Sequence, residues 1–98
     1  ATPSEAMAML EEGLTMMKFF PAGPAGGASY LKSLASPLPN AMFCPTGGVS
    51  LENAESYLSL PNVVCVGGSW VAPAKLVEER DWQAIEQLAA DAARLRRA

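Results

Sequence analysis

No histidine occurs anywhere in the 98 residues, and that absence removes several chemistries at once. Histidine-based zinc sites and Ser-His or Cys-His nucleophile pairs cannot be built from this chain alone. Cysteine is scarce: only Cys44 and Cys65. Each sits in an apolar, strand-like run, where a buried reduced thiol acts as a small hydrophobe. Nothing marks the chain for secretion, so a disulfide is not expected. Basic charge is also in short supply, with seven Lys and Arg against ten Asp and Glu and a net charge of -3. No basic patch forms before the terminal Arg94, Arg96 and Arg97, which argues against a nucleic-acid partner. No apolar run approaches the ~20 residues that a membrane-crossing helix needs. The amino terminus also lacks the basic segment and apolar stretch of a signal peptide. Neither nucleic acid nor membrane is expected as a partner.

What remains is 50% hydrophobic and 17% charged, the composition of a soluble, globular chain. Its length allows one small domain, residues 1–98. The chain is organised around Met16-Met17-Lys18-Phe19-Phe20-Pro21, an apolar run of strand length with a single lysine at its centre. Alternation along a strand puts Met16, Lys18 and Phe20 on one face and Met17 and Phe19 on the other. Two readings of Lys18 stand side by side. Its stem can pack while its ammonium snorkels to water. Alternatively, its apolar face-mates disfavour the charged form and make a nucleophilic amine available near neutral pH.

The flanking elements follow in order. Ser4 or Thr2 caps a first helix that Gly13 stops. Thr15 to Phe20 is the first strand, and the loop from Ala22 to Gly27, with its own Gly-Gly pair, reads as flexible. A second helix spans about Ala28 to Ser36 and ends at Pro37. Ala41–Cys44 is the second strand. A third helix begins near Leu51, capped by Ser50, and ends before Pro61. Asn62–Val66 is the third strand. Pro73 to Glu79 forms a short helical turn, and Asp81 caps a last helix through Arg97, with arginines at the end that the helix dipole favours. Nearly all-apolar strands alternating with helices predict a parallel sheet covered by helices. Three strands would leave two long edges unpaired, so the fold is expected to be incomplete on its own.

Two strand-to-helix turns carry paired glycines, Thr46-Gly47-Gly48 and Gly67-Gly68-Ser69. Glycines at the carboxyl end of a parallel strand let backbone N–H groups approach an anion closely, and Ser69 adds a donor. Two such turns on consecutive strands fit a phosphate cradle of the kind that (β/α)8 barrels build after their last strands. Tight strand-to-helix packing accounts for the same glycines. An inward amine beside a phosphate cradle predicts imine chemistry on a phosphorylated carbonyl compound. No metal site is apparent, which fits an aldolase that uses lysine rather than zinc.

Three co-linear motifs carry a family resemblance: Met17-Lys18-Phe19-Phe20-Pro21-Ala22, Phe43-Cys44-Pro45-Thr46-Gly47-Gly48-Val49 and Val66-Gly67-Gly68-Ser69-Trp70. They closely resemble the bacterial 2-keto-3-deoxy-6-phosphogluconate (KDPG) aldolases, many of which also act on 4-hydroxy-2-oxoglutarate (KHG). The resemblance runs from Thr2-Pro3-Ser4-Glu5, similar to the turn after the family's fifth strand, to the final helix. It implies a class I aldolase on a (β/α)8 TIM barrel, with this chain as the carboxyl-terminal portion, about strands six to eight. It further implies a cytoplasmic homotrimer of the Entner-Doudoroff pathway that needs no cofactor. The reaction would cleave KDPG to pyruvate and glyceraldehyde 3-phosphate, and 4-hydroxy-2-oxoglutarate to pyruvate and glyoxylate.

By the same resemblance Lys18 matches the Schiff-base lysine, and Gly47, Gly48 and Ser69 match phosphate-binding positions bordered by Gly68. Thr46 matches a threonine beside the bond being broken, and Phe20 would be a pocket wall. The family's general-base glutamate, and the arginine and threonine that hold the substrate carboxylate, lie on earlier strands, so the amino-terminal half of the barrel becomes a required partner. Gly23 stands where the family often has an acidic residue. Glu5, Glu11 and Glu12 read as a solvated helix face rather than a substitute base. The competing reading is a non-catalytic phosphate-binding barrel segment or assembly module.

Overall fold

The computed structural model describes residues 1–95. The first helix, α1 (Pro3–Glu11), starts at Thr2 rather than Ser4. The Thr2 hydroxyl accepts from the Glu5 backbone N–H while the Glu5 carboxylate reaches back to the Thr2 N–H, a reciprocal capping box. Gly13, at φ +82°, turns the chain out of the helix. Strand β1 is Met16–Phe19 and strand β2 is Met42–Pro45, paired in parallel with Lys18 opposite Cys44 and Phe19 opposite Pro45. Alternation splits β1 cleanly. Met17 and Phe19 are buried, whereas Met16 and Phe20 are 65% and 57% exposed and Lys18 is exposed between them.

The buried face carries the core. Phe19 meets the Phe43 ring edge-on at 5.7 Å and lies against Tyr30 at 5.8 Å, and Leu31, Leu34, Tyr57 and Val63 close around them. Helices cover this one face of the parallel pair. The opposite face, with Met16, Lys18 and Phe20, is open. Asn62 is buried at its margin, where its amide donates to the Leu31 carbonyl at 2.9 Å.

Several elements differ from the sequence expectation. The glycine-proline stretch after Pro21 is ordered: α2 (Ala22–Ala25) and α3 (Gly27–Leu34) meet at Gly26, whose missing side chain leaves room for Tyr30. The next helix, α4 (Ala54–Leu58), begins three residues later than expected. Asn53 takes over the turn before it, accepting from the Ser50 N–H and donating to the Gly48 carbonyl. Asn62–Val66 runs alongside β2 without becoming a regular strand. Its Asn62 carbonyl accepts from Phe43 N–H, Val64 N–H donates to Phe43 O, and one parallel bridge joins Phe43 to Val63.

The next bond in that ladder joins Gly67 N–H to Pro45 O. From Phe43 to Pro45 the strand β2 advances two residues, while the facing segment advances three, from Val64 to Gly67. One residue is therefore extra, a bulge. Pro45 has no N–H to donate toward Val64 or Cys65, so the ladder has nothing to hold its register there. Beyond it, a 3-10 turn (Ser69–Val71) leads to α5 (Ala74–Glu78) and α6 (Trp82–Ala93). Asp81 caps α6 through the Ala84 N–H, as expected, and Arg94 follows the last turn. Arg96 and Arg97 lie outside the described residues. Among those described, no helix is long and apolar enough to cross a membrane.

Candidate functional site

The carboxyl ends of β1, β2 and the bulged segment converge, and backbone bonds hold them together. Thr46 N–H donates to Phe19 O at 2.9 Å, Ala22 N–H to Thr46 O at 2.7 Å and Gly23 N–H to Gly47 O at 2.9 Å. The glycine turn after β2 is thus stitched to the end of β1. Both its glycines need the left-handed region, Gly47 at φ +89° and Gly48 at φ +76°, which L side chains rarely adopt. Gly47 has a second constraint. A Cβ there would lie 2.9 Å from the Pro21 Cα and 2.9 Å from the Phe20 ring.

The two glycine turns also touch each other. A Cβ on Gly67 would meet the Thr46 methyl at 2.9 Å, and one on Gly68 would overlap the Trp70 ring and come within 3.0 Å of the Val49 carbonyl. Gly68 is extended, so close approach rather than backbone conformation demands glycine there. Ser69 is exposed at the start of the 3-10 turn.

Lys18 lies on the open face with its ammonium 5.2 Å from the centre of the Phe20 ring, a cation–π contact. The apolar face-mates expected of it are present, but they are themselves exposed, so this chain alone does not supply the expected desolvation. A cleft of about 250 Å3 opens between α1 and β1, reaching Lys18, Met17 and Phe19 on one side and Thr2, Glu5 and Met9 on the other. Glu11 and Glu12 are exposed on and just beyond α1.

Two features of the site had little or no signal in the sequence. The Thr46 hydroxyl oxygen is buried without a hydrogen-bond partner, although such groups ordinarily have one. Cys44, expected as a small hydrophobe, is half-buried, and Cys65, also expected to be buried, is exposed. Both are free thiols. Burial first, and the neighbouring Cys65 second, push the Cys44 thiol up to about 11 against the opposing pull of the Lys18 ammonium. Lys18, Cys44 and Cys65 therefore share one face of the sheet. Among the described residues, no three His, Cys, Asp or Glu gather as they would around a metal ion.

The chain matches the family model for KDPG and KHG aldolase over residues 1–88. It is 51% identical over 89 residues to a 2-dehydro-3-deoxy-phosphogluconate aldolase of Pseudoalteromonas atlantica, covering 91% of this chain and 41% of that protein. A crystal structure of the KDPG aldolase of Zymomonas mobilis ZM4 with 3-phosphoglycerate superposes with a TM-score of 0.93 at 44% identity, over 100% of this chain and 46% of that one. A KDPG aldolase from Legionella pneumophila, with pyruvate captured as a covalent carbinolamine, gives 0.91 at 44% identity, over 94% of this chain and 45% of that one. The chain spans less than half the length of these relatives.

Proposed function

Because the chain belongs to the KDPG and KHG aldolase family, we propose that it carries the imine-forming and phosphate-gripping part of a class I aldolase. In this reading it supplies the last strands, about six to eight, of one (β/α)8 barrel domain, whose earlier strands complete the open edge of β1. The substrate would be a phosphorylated 2-keto-3-deoxy sugar acid, cleaved to pyruvate and glyceraldehyde 3-phosphate, with 4-hydroxy-2-oxoglutarate as a second substrate. The observation that carries this reading is the convergence at one sheet end. Lys18, Phe20, Thr46 and two mutually packed glycine turns meet there, in a chain similar to structures described with pyruvate and with 3-phosphoglycerate.

The Lys18 amine attacks the substrate keto carbon and, with loss of water, forms an iminium. The iminium accepts the electron pair released when the carbon–carbon bond breaks. Earlier strands would enclose Met16, Lys18 and Phe20. The Gly47-Gly48 and Gly67-Gly68-Ser69 turns hold the phosphate through backbone N–H groups and the Ser69 hydroxyl. Close packing against Phe20 and Pro21 at Gly47, and against Trp70 at Gly68, demands glycine at both positions. The unpartnered Thr46 hydroxyl is assigned, in this reading, to a substrate oxygen beside the bond being broken.

The proton-transfer half is not in this chain. Glu5 is engaged with Thr2 and the amino terminus, and Glu11 and Glu12 point to solvent. The general base and the carboxylate grip are assigned to the earlier strands. Family resemblance supports a cytoplasmic homotrimer as the working form. The test is KDPG cleavage, read as pyruvate release, by this chain joined to the preceding segment of a family member. Activity lost in Lys18→Ala supports the reading. Undiminished cleavage by that variant, or none by the parent, speaks for a non-catalytic barrel segment.

A further inference from the structure

Trp70 stands where the second glycine turn meets both the first turn and the carboxyl-terminal helix. Its six-membered ring folds back over Gly68 and fills the space where a Gly68 side chain would lie. The Val49 carbonyl, at the end of the first turn, borders that same space, 3.0 Å from the point a Cβ would occupy. Ser69 lies between Gly68 and Trp70 and opens the 3-10 turn, which the Ala72 N–H closes on the Ser69 carbonyl at 3.0 Å. The contact of Trp70 with Gly68 therefore closes the backbone around Ser69, whose side chain is left exposed.

The same residue reaches the helices. Trp70 is half-buried and packs on the core, as do Val66 and Leu95. It lines an apolar cleft of about 250 Å3 with Leu58, Val66, Ala92 and Leu95. Ala92 is in the last turn of α6, Leu95 lies just past it, and α6 packs on the 3-10 turn. These contacts are internal to the chain and owe nothing to its open face. The superposition on the Zymomonas mobilis aldolase spans the whole chain, α6 included.

We propose that Trp70 is a positioning residue that ties the Gly67-Gly68-Ser69 turn to α6, so that the carboxyl-terminal helix sets how the two glycine turns face a phosphate group. The proposal rests on the reading of those turns as a phosphate grip. A large, rigid ring loses little conformational freedom when it is held in place. Without it a void opens beside a glycine that has no side chain to fill it, and the surroundings relax only in part. Backbone donors bind an anion well only while a supporting contact fixes their placement.

The test measures binding by the chain joined to the preceding segment of a family member, with 3-phosphoglycerate as the phosphate-bearing probe and pyruvate as the probe of Lys18. Calorimetric titration of Trp70→Ala should show 3-phosphoglycerate affinity about tenfold weaker and pyruvate affinity within about twofold of the parent's. Trp70→Phe keeps a six-membered ring and should recover most of the loss. Leu95→Ala leaves the turn's own atoms in place and should weaken 3-phosphoglycerate about threefold, yet add nothing to Trp70→Ala, because both act through one contact. Equal 3-phosphoglycerate affinity in the parent and Trp70→Ala would overturn the proposal. So would equal losses for the two probes, or additive losses in the double variant. Failure of the phosphate reading itself looks different: the parent would bind pyruvate without binding 3-phosphoglycerate, and the proposal would fall with it.

Discussion

At Lys18 the alternation of a four-residue strand does two things. It sends Met17 and Phe19 into the core and holds the amine on the opposite face, level with Cys44 and one step from the Phe20 ring. That placement was legible from the residues alone, because a period of two leaves no other choice. The environment was not. The apolar face-mates, Met16 and Phe20, are themselves exposed here. Gly47 makes the same point about close approach. Its motif predicted an anion cradle, but the contact with Pro21 appears only once β1 and β2 lie side by side. Gly47→Ala is expected to cost about 1–3 kcal/mol, since it combines left-handed strain with a steric clash. Gly13→Ala, at φ +82° with nothing within 4 Å of a new Cβ, should cost only the backbone term of about 1–2 kcal/mol. Urea unfolding of the two variants checks the order. If Gly13→Ala proves the more damaging, the packing of the glycine turn on Pro21 is wrong.

Cys44 offers a pH test at the same scale. Its folded pKa is raised from an ordinary 9.0 to about 11, so the folded chain binds its proton more tightly than the unfolded chain. The sign follows from linkage: stability is unaffected below about pH 9 and falls as pH rises toward 11. Cys44→Ala should flatten that part of the stability profile. Alkylation should label Cys65 well before Cys44 at pH 8. Equal labelling rates would show that Cys44 is neither covered nor held as the thiol.

Elements were more legible than their edges. Helix α1, strands β1 and β2, and the Asp81 cap of α6 stand where apolar period and capping residues place them. The third strand failed for a local reason. The run Asn62–Val66 has the composition of a buried strand, but Pro45 across from it lacks the N–H that would fix its register, and the ladder slips by one residue. A proline on the partner strand was visible in the sequence. Its consequence depended on which neighbour its missing N–H faced. Elements are held mainly through Phe43, which is 2% exposed, meets Phe19 and bonds to the bulged segment on both sides. Phe43→Ala is expected to destabilise the fold by about 3–5 kcal/mol. Thermal unfolding monitored by circular dichroism measures it. A cost under about 1 kcal/mol would mean the core lies elsewhere.

The whole molecule is a parallel α/β unit clothed on one face. The bare face and the free edge of β1 are the two surfaces that a barrel would close, and the chain covers 41% and 46% of the relatives described above. In the proposed reading Lys18, Thr46 and the glycine turns supply an imine-forming amine and a phosphate grip. A general base and a carboxylate grip commonly supply several powers of ten in rate, so the 98-residue chain by itself should show negligible KDPG cleavage. Robust turnover by the purified chain would contradict the division of labour proposed here. The most direct measurement is borohydride reduction in the presence of pyruvate, on the chain joined to the preceding segment of a family member, followed by peptide mapping. A pyruvate-derived adduct confined to Lys18 and absent from Lys18→Ala is predicted. An adduct on Lys32 or Lys75, or one that persists in Lys18→Ala, would contradict the assignment of Lys18 as the imine-forming residue.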